Sequence, residues 1–325
     1  MKVKYSICVI NKNTVGTIQL ALGSVLGQIS EDFQIVVVDE SSDGSETILK
    51  ELQKLYPHKM KVIFLDEAHR QGIGFARNVS IENADGEYCI MHIDCDDVWE
   101  NHIQDFVKVY LAIEEKVGPD FLLAGHQINM ARKDYLLSVG PYRTVEHGED
   151  RDLWMRLAKR NEFIPLDHVA FFERLPLPAS KNFVKALKRV IWGVRDEVRK
   201  GSRISLYFRD LFSRFGSLSW RIRVARLLVY PYARVSAKKF ETFDATEYFK
   251  NVSDWNRYKE INFGLFGEVA SIRGFSPSLE FLESPLSRAI FENRRKDIDY
   301  PSLKKMISEG SHTSNAVPSD KSTPE

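Results

Sequence analysis

Cysteine and long apolar runs are both scarce in this sequence. The three cysteines, Cys8, Cys89 and Cys95, are odd in number and lack the spacing of a metal site, which suits a reducing compartment better than a disulfide-stapled fold. No stretch approaches the ~18 consecutive apolar residues of a membrane-spanning helix, and the first residues become polar too early for a signal peptide. We therefore expect a cytoplasmic protein whose membrane contact is limited to peripheral docking on the inner face of the cell membrane.

Net charge is also small, but it is unevenly distributed. The 325 residues carry a net charge of +1, whereas residues 175–240 contain 16 Lys or Arg against three acids and the remainder is correspondingly acidic. Such asymmetry indicates that the basic segment faces an anionic partner, of which phosphate-bearing lipid and nucleic acid are the two obvious classes. No nucleic-acid recognition motif is visible, so nucleic acid is not an expected partner.

Short apolar runs alternate with amphipathic patterns in the first part of the chain. They predict strands at 5–10, 33–39, 61–65 and 87–93, and helices at 17–26, 45–55, 74–84 and 101–115. This rhythm is typical of an α/β fold with a mostly parallel sheet and right-handed crossovers. Ligands bind beyond the carboxyl ends of such strands. The polar residues that follow the strands are therefore candidates for a site: Asn11, Asn13, Asp39, Glu40, Asp94, Asp96 and Asp97.

The alternation of strand and helix patterns ends after about residue 174. Residues 175–178 resemble a proline-containing linker, 182–199 an amphipathic helix, and 217–230 fit a strand or a helix equally well. We assign no elements to 241–305, and the polar segment from 309 onward is expected to be disordered. The predicted organisation is an α/β domain over 1–174, a basic and mainly helical region over 175–308, and a tail over 309–325.

Three carboxylates, Asp94, Asp96 and Asp97, leave the end of a buried strand together. Like charges this close usually need a cation to stay ionised. Oxygen ligands in small number suit Mg²⁺ or Mn²⁺, and such an ion could neutralise a diphosphate leaving group. The alternative is a solvated acidic turn that caps the next helix.

Four segments in order resemble the family 2 glycosyltransferases, which have the Rossmann-like GT-A fold. They are SICVINKN, VVVDESSDGSETI, GIGFARNVSIENADGEYCIMHIDCDD and GEDRDLWMRL, between about residues 5 and 157. The sequence departs from the family where Ile10 and Asn11 replace a Pro-Thr pair and where Glu40 replaces the second acid of a D-D pair. No Q-x-x-R-W motif is present, so single-sugar transfer is favoured over processive synthesis.

The resemblance implies a role for each matching residue. The nucleotide-sugar site would comprise Asn13, Asp39, Glu40, Arg77, Asn78, Asp94 and Asp96; the metal would be held by Asp96, Asp94 and Asp97; and Asp150, with Glu149 beside it, would be the catalytic base. The reaction implied is inverting transfer from a nucleoside-diphosphate sugar, a UDP-sugar first of all, to a hydroxyl of a glycan or lipid-linked acceptor. A carboxylate that accepts the hydroxyl proton must lie across the sugar from the diphosphate, and a base more than 50 residues after the metal motif can do so.

Each assignment has a structural alternative. Asp39 could form an Asx-turn, Arg77 could pair with a nearby acid, and Glu149 with Asp150 could be charges at a helix N-terminus. Trp154 and Leu157 fit the core better than a sugar platform.

Other functions for the whole chain also stay open. One is a nucleotidyltransferase, for which the segment NKNTVGT is a poor match. The others are a non-catalytic nucleotide-sugar-binding protein and a membrane-associated scaffold. The basic region would dock on an anionic membrane or hold a phospholipid-linked acceptor, or else it would only pack on the catalytic domain.

Overall fold

The computed structural model describes residues 2–66, 72–140, 142–143, 148–176, 183–199, 203–212, 219–237, 254–255, 258 and 266–309. The expected disordered tail lies outside these residues except for Glu309, and so does most of the segment between 241 and 265.

The described residues include nine strands in two sheets. They are β1 (Tyr5–Asn11), β2 (Phe33–Asp39), β3 (Met60–Phe64), β4 (Tyr88–Met91), β5 (Asp97–Trp99), β6 (Leu122–Ala124), β7 (Asn129–Arg132), β8 (Phe163–Pro165) and β9 (Phe172–Arg174). The main sheet has the order β3-β2-β1-β4-β7-β6-β8. Strands β1 to β4 run parallel, β7 is antiparallel to both neighbours, and β8 is parallel to β6. The mostly parallel sheet expected from the sequence is therefore confirmed, with one reversed strand in it.

Helices follow the strands and continue through the second half of the chain. They are α1 (Ile18–Leu26), α2 (Ser45–Leu55), α3 (Ile73–Glu82), α4 (Ile103–Val117), α5 (Lys133–Val139), α6 (Glu149–Lys159), α7 (Phe183–Arg199), α8 (Ile204–Phe212), α9 (Trp220–Ala237), α10 (Phe266–Ile272), α11 (Pro285–Glu292) and α12 (Tyr300–Ser308). The expectation of a mainly helical C-terminal region is confirmed. Among the residues that the structure describes, no helix is both long and apolar enough to cross a bilayer.

The two faces of the sheet carry separate cores because strand side chains alternate between the faces. Ile7 and Ile35 point to one face, against side chains of α1, α2 and α4. Cys8 and Val36 point to the other, against α3, α5 and α6. Leu157 of α6 is fully buried there and Trp154 packs at its edge. The cysteines are all buried and free.

The last three helices pack back on the first of these cores. Ile290 of α11 accepts a backbone hydrogen bond from Val169 at 3.0 Å, and the Tyr300 hydroxyl of α12 lies 3.1 Å from Nε2 of His102. Their buried side chains belong to the same cluster as the sheet. The residues after 265 therefore cover the α/β domain, while the basic helices lie between the two segments in the chain.

Helices α7, α8 and α9 share a small core of their own, formed by Val194, Tyr207, Leu211, Tyr230 and Ala233. The ambiguous segment 217–230 is helical from Trp220 onward. Tyr230, Ala233 and Ala237 recur at helical spacing and are buried, so packing decides between the two patterns that the sequence allows.

Candidate active site

The carboxyl ends of β1 and β2 hold a network around Asp39. Parallel pairing sets Asn11 beside Asp39, and Nδ2 of Asn11 donates to Oδ1 of Asp39 at 2.8 Å and to Oγ of Ser41 at 2.9 Å. The Ser41 hydroxyl in turn donates to the same Asp39 oxygen at 2.6 Å. Asp39 is thus a buried carboxylate in a fixed orientation, able to accept hydrogen bonds from a ligand at this edge.

Asn13 and Glu40 lie next to that network. Asn13 has φ of 58°, a left-handed conformation that asparagine tolerates better than most residues. Its Oδ1 accepts from the backbone N–H of Ser42 at 2.9 Å. Glu40 is buried, and its Oε2 pairs with Lys12 at 3.3 Å. The other oxygen, Oε1, is buried without a hydrogen-bond partner in the described part of the chain, which marks it as an acceptor that a bound donor group could satisfy.

Asp94, Asp96 and Asp97 come together at the end of β4, as the sequence predicts. One carboxylate oxygen from each lies within 4.8 Å of the others. Burial raises the pKa of Asp94 to about 6, and the neighbouring Asp97 and Asp96 add to that rise while Arg77 opposes it. Burial also raises the pKa of Asp97. Clustered carboxylates of this kind are stabilised by a cation, and an all-oxygen donor set fits Mg²⁺ or Mn²⁺.

Arg174 supplies one cation to this cluster. Its Nε lies 2.8 Å from Oδ1 of Asp97 and its Nη2 lies 2.9 Å from Oδ2. The same guanidinium is 3.5 Å from Asp94 and 3.9 Å from Asp96. Asp97 is fully buried and bound through both oxygens, whereas Asp94 and Asp96 are part-exposed. The donor set therefore fits a divalent ion held mainly by Asp94 and Asp96.

The backbone around the triplet explains why Arg174 is there. Strands β5 and β9 pair antiparallel with Asp97 opposite Arg174, and the backbone N–H of Leu175 donates to the carbonyl of Asp96 at 2.7 Å. Nothing in the local sequence marks Arg174, because 77 residues separate it from Asp97. It is a site residue that only the strand pairing reveals.

Arg77 lies between the aspartate triplet and the segment that holds Glu149. Its Nε lies 3.1 Å from Oε1 of Glu149, and both side chains are buried. The guanidinium also lies over the ring of Tyr142, 5.6 Å from the centroid. Glu149 and Asp94 both act on it electrostatically. The ion pair weighed as an alternative for Arg77 is therefore present, and it connects two parts of the predicted site.

Asn78 fixes the wall beside this pair. Its Nδ2 donates to the carbonyl of Tyr142 at 2.7 Å, and its Oδ1 accepts from the backbone N–H of Tyr142 at 2.9 Å. Gly74 lies against the same segment, since a Cβ there would be 2.5 Å from the carbonyl oxygen of Arg143. Asn78 thus shapes the site through the backbone of Tyr142, and the small size of Gly74 permits the close approach.

Asp150 lies in the first turn of α6, and its side chain lines a cleft. Its Oδ1 accepts a hydrogen bond from the backbone N–H of Arg151 at 2.6 Å. The cleft has a volume of about 460 Å³ and is lined by Gly148, Asp150, Arg151, Trp154, Arg189, Val190, Gly193, Ile222, Arg226 and Trp255. A carboxylate at the wall of a cleft can accept a proton from a bound hydroxyl. The residues contributed by α7 and α9 could not be chosen from the sequence.

The architecture defines a GT-A fold. TarS 1-349 of S. aureus, solved in complex with UDP-GlcNAc, superposes with a TM-score of 0.50 at 17% identity, over 95% of this chain and 92% of that chain. Residues 6–117 match the family model described as Glycosyl transferase family 2. Residues 6–117 are therefore similar to the family 2 glycosyltransferases.

Two relatives match a third or less of the chain. An uncharacterized glycosyltransferase of Nostoc sp. is 38% identical over 109 residues, which are 33% of this chain and 33% of the relative. TuaG of Bacillus subtilis, named as a candidate glycosyltransferase of teichuronic acid biosynthesis, is 35% identical over 78 residues, or 24% of this chain and 29% of the relative. The matched segment spans a third or less of the length of these relatives.

Proposed function

We propose that the protein is an inverting, metal-dependent glycosyltransferase that moves one sugar from a nucleoside-diphosphate sugar to a hydroxyl acceptor. The observation that carries this proposal is the arrangement around Arg77. Its ion pair with Glu149 ties α6, whose first turn holds the proposed base Asp150, to the side of the sheet that bears Asp94. A base and a leaving-group site on separate elements are what an in-line displacement requires.

The donor would lie along the carboxyl edge of the sheet. Asp39 and Glu40 would accept hydrogen bonds from the base or ribose, and Asn13 would shape the turn beneath them. Asp94 and Asp96 would hold Mn²⁺ or Mg²⁺, with Asp97 kept in place by Arg174. When bound, the divalent ion supplies positive charge against the diphosphate. The resemblance to family 2 makes UDP the first nucleotide to test.

Asp150 would act on the acceptor. Its carboxylate takes the proton of the attacking hydroxyl as the new bond to the anomeric carbon forms and the bond from that carbon to the diphosphate oxygen breaks. Attack from the side opposite the diphosphate inverts the anomeric configuration. Glu149 would not touch the sugar in this scheme, since its buried carboxylate pairs with Arg77; it would position the first turn of α6.

The basic helices would also place the protein on an anionic membrane surface. Support comes from α9, where Trp220, Leu228 and Val235 are 70%, 77% and 68% exposed and share one helical face with Val224. Arg221 and Arg234 lie on the same helix. An apolar stripe beside arginines is typical of helices that lie in the membrane interface.

A non-catalytic nucleotide-sugar-binding protein is the second candidate, since every donor-side contact described above would serve binding alone. Thermal unfolding with a panel of nucleoside diphosphates, with and without Mn²⁺, tests the donor site, and sugar transfer tests turnover. We expect one nucleotide to raise the melting temperature only with the metal. Asp96→Asn should abolish that rise, and Asp150→Asn should keep it while lowering transfer by about 10²–10⁴-fold.

Asp120→Asn is the matched control, because Asp120 is exposed just before β6, at the sheet edge opposite the triplet. It should change neither nucleotide binding nor transfer. Nucleotide binding without transfer to any acceptor would favour the binding protein. A melting temperature that no nucleotide and metal change would overturn both candidates.

A further inference from the structure

The cleft at Asp150 lies between the catalytic helix and the basic helices. Asp150, Arg151 and Trp154 come from α6, Arg189 from α7 and Arg226 from α9. A volume of about 460 Å³ lies within the range of small-ligand sites, roughly 300–1,000 Å³. The cleft therefore has room for a sugar-sized acceptor beside the carboxylate that would receive its proton.

The side chains that line this cleft carry a net positive charge. Three arginines line it against one acid, Asp150. Nη2 of Arg151 is 3.4 Å from Glu197, but its Nε is buried and has no hydrogen-bond partner among the described residues. Buried donors are normally satisfied, so an acceptor group in the cleft would complete this one.

Arg189 and Arg226 have no acidic partner within the described part of the chain. Arg189 is exposed on α7 and Arg226 is half-buried on α9, with its guanidinium over the ring of Tyr207 at 5.7 Å. A guanidinium presents a fixed fork of donors that matches the oxygens of phosphate. Their convergence from two helices on one cleft is a geometry for holding an anion.

Two tryptophans complete the walls. Trp154 is half-buried at the edge of the core below the sheet, and Trp255 is buried beside Phe163. Both also line the cleft, where the half-buried ring of Trp154 offers apolar surface to the C–H groups of a sugar or polyol. The cleft thus combines an apolar wall, an anion-binding side and a carboxylate.

We infer that this cleft binds an acceptor that carries a phosphate or phosphodiester close to the hydroxyl that is glycosylated, with Arg189 and Arg226 as its anion-binding residues. The ligand's role as an acceptor rests on the proposed function, whereas its binding through phosphate does not. The phosphate can belong to a soluble sugar phosphate or to a lipid headgroup with free hydroxyls, because both present the same group to the arginines.

Intrinsic tryptophan fluorescence of the full chain tests the inference, since two tryptophans line the cleft. The probes are glucose 6-phosphate, glucose and glucuronate, together with vesicles of phosphatidylcholine that contain or lack phosphatidylinositol. We expect glucose 6-phosphate or the phosphatidylinositol vesicles to bind in the cleft, and the probe whose binding is weakened in Arg189→Ala and Arg226→Ala identifies the source of the phosphate. Glucose should bind at least about tenfold more weakly because it lacks the charge-assisted hydrogen bonds, and glucuronate should fall between the two.

Arg189→Ala and Arg226→Ala should each weaken phosphate binding about tenfold. Lys188→Ala on α7 and Arg221→Ala on α9 are matched controls for the soluble probe, since both residues are exposed and neither lines the cleft; they should leave the binding of glucose 6-phosphate unchanged. Equal binding of glucose and glucose 6-phosphate would overturn the inference, as would equal losses in the control and cleft variants.

Donor binding measured on the same proteins separates this inference from the proposed function. The arginine variants should retain the Mn²⁺-dependent melting shift with nucleotide. Donor binding without a preference for phosphate would overturn the anion site alone. Phosphate binding without any donor binding would overturn the proposed enzyme and leave an anion-binding cleft, so the two failures are distinguishable.

Discussion

The arginines at the carboxyl edge of the sheet differ from Arg189 and Arg226 of the basic helices in having acidic partners. At the edge, Arg77 and Glu149 are buried as a pair, and Arg174 binds both oxygens of Asp97. On the helices, Arg189 and Arg226 face a cleft without an acidic partner in the residues that the structure describes. The ion pairs at the edge therefore hold its side chains in one arrangement, whereas these two arginines of the helices are available to bind an anionic ligand.

The strongest test of this contrast is the buried ion pair. Arg77→Met leaves Glu149 buried without its cation, which should lower the free energy of unfolding by about 3–5 kcal/mol. The double variant Arg77→Met/Glu149→Leu should recover much of that loss, because a buried pair can often be replaced by apolar side chains. Urea unfolding of the three proteins measures both effects.

Lys50→Met provides the surface comparison, since Lys50 pairs with Glu46 on an exposed face of α2. This substitution should lower the free energy of unfolding by no more than about 0.5 kcal/mol. Equal costs for Arg77→Met and Lys50→Met would show that burial at the sheet edge contributes nothing, and the contrast between the two regions would then fail.

Substitutions of the adjacent residues Asp97 and Asp96 should have different effects on the free energy of unfolding. Asp97→Asn removes charge from the bidentate contact with Arg174 and should lower the free energy of unfolding by about 1–2 kcal/mol. Asp96→Asn should be neutral or slightly stabilising without metal, because it relieves repulsion among three carboxylates. Chemical denaturation in the presence of a chelator measures the two changes, and a larger loss for Asp96→Asn would contradict the assignment of Asp97 to Arg174.

Much of the sheet side could be predicted because its signals are local. The continuous run at 33–39 and the amphipathic run at 45–55 match β2 and α2 residue for residue. The aspartate triplet follows directly from a strand ending, because three acids next to each other in sequence stay next to each other in space. The sequence does not predict the short strands β5 to β9, because three or four residues are too few to show an alternating hydrophobic pattern.

Long-range partners could not be predicted from such signals. Arg174 reaches Asp97 only because β9 pairs with β5. The basic region was evident from composition, but which of its 16 cationic side chains meet in one cleft depends on how α7 and α9 pack against each other and on α6. The functional assignments of Asp39, Asp94, Asp96 and Asp150 stay predictions, and the variants above test those of Asp96 and Asp150.

Substitutions in the apolar stripe on α9 should change stability little, in contrast to those in the buried pair at the sheet edge. Leu228→Ser/Val235→Ser alters two side chains that are 77% and 68% exposed, so the free energy of unfolding should change by no more than about 0.5 kcal/mol per site. Flotation with vesicles containing anionic lipid should nevertheless fall, because the stripe would be the part that enters the interface. Leu20→Ser on α1, where the leucine is also exposed at 62%, is the matched control and should float like the unaltered protein. Unchanged flotation in the α9 variant would contradict docking through the stripe, and wild-type protein that does not float at low salt would contradict membrane docking altogether.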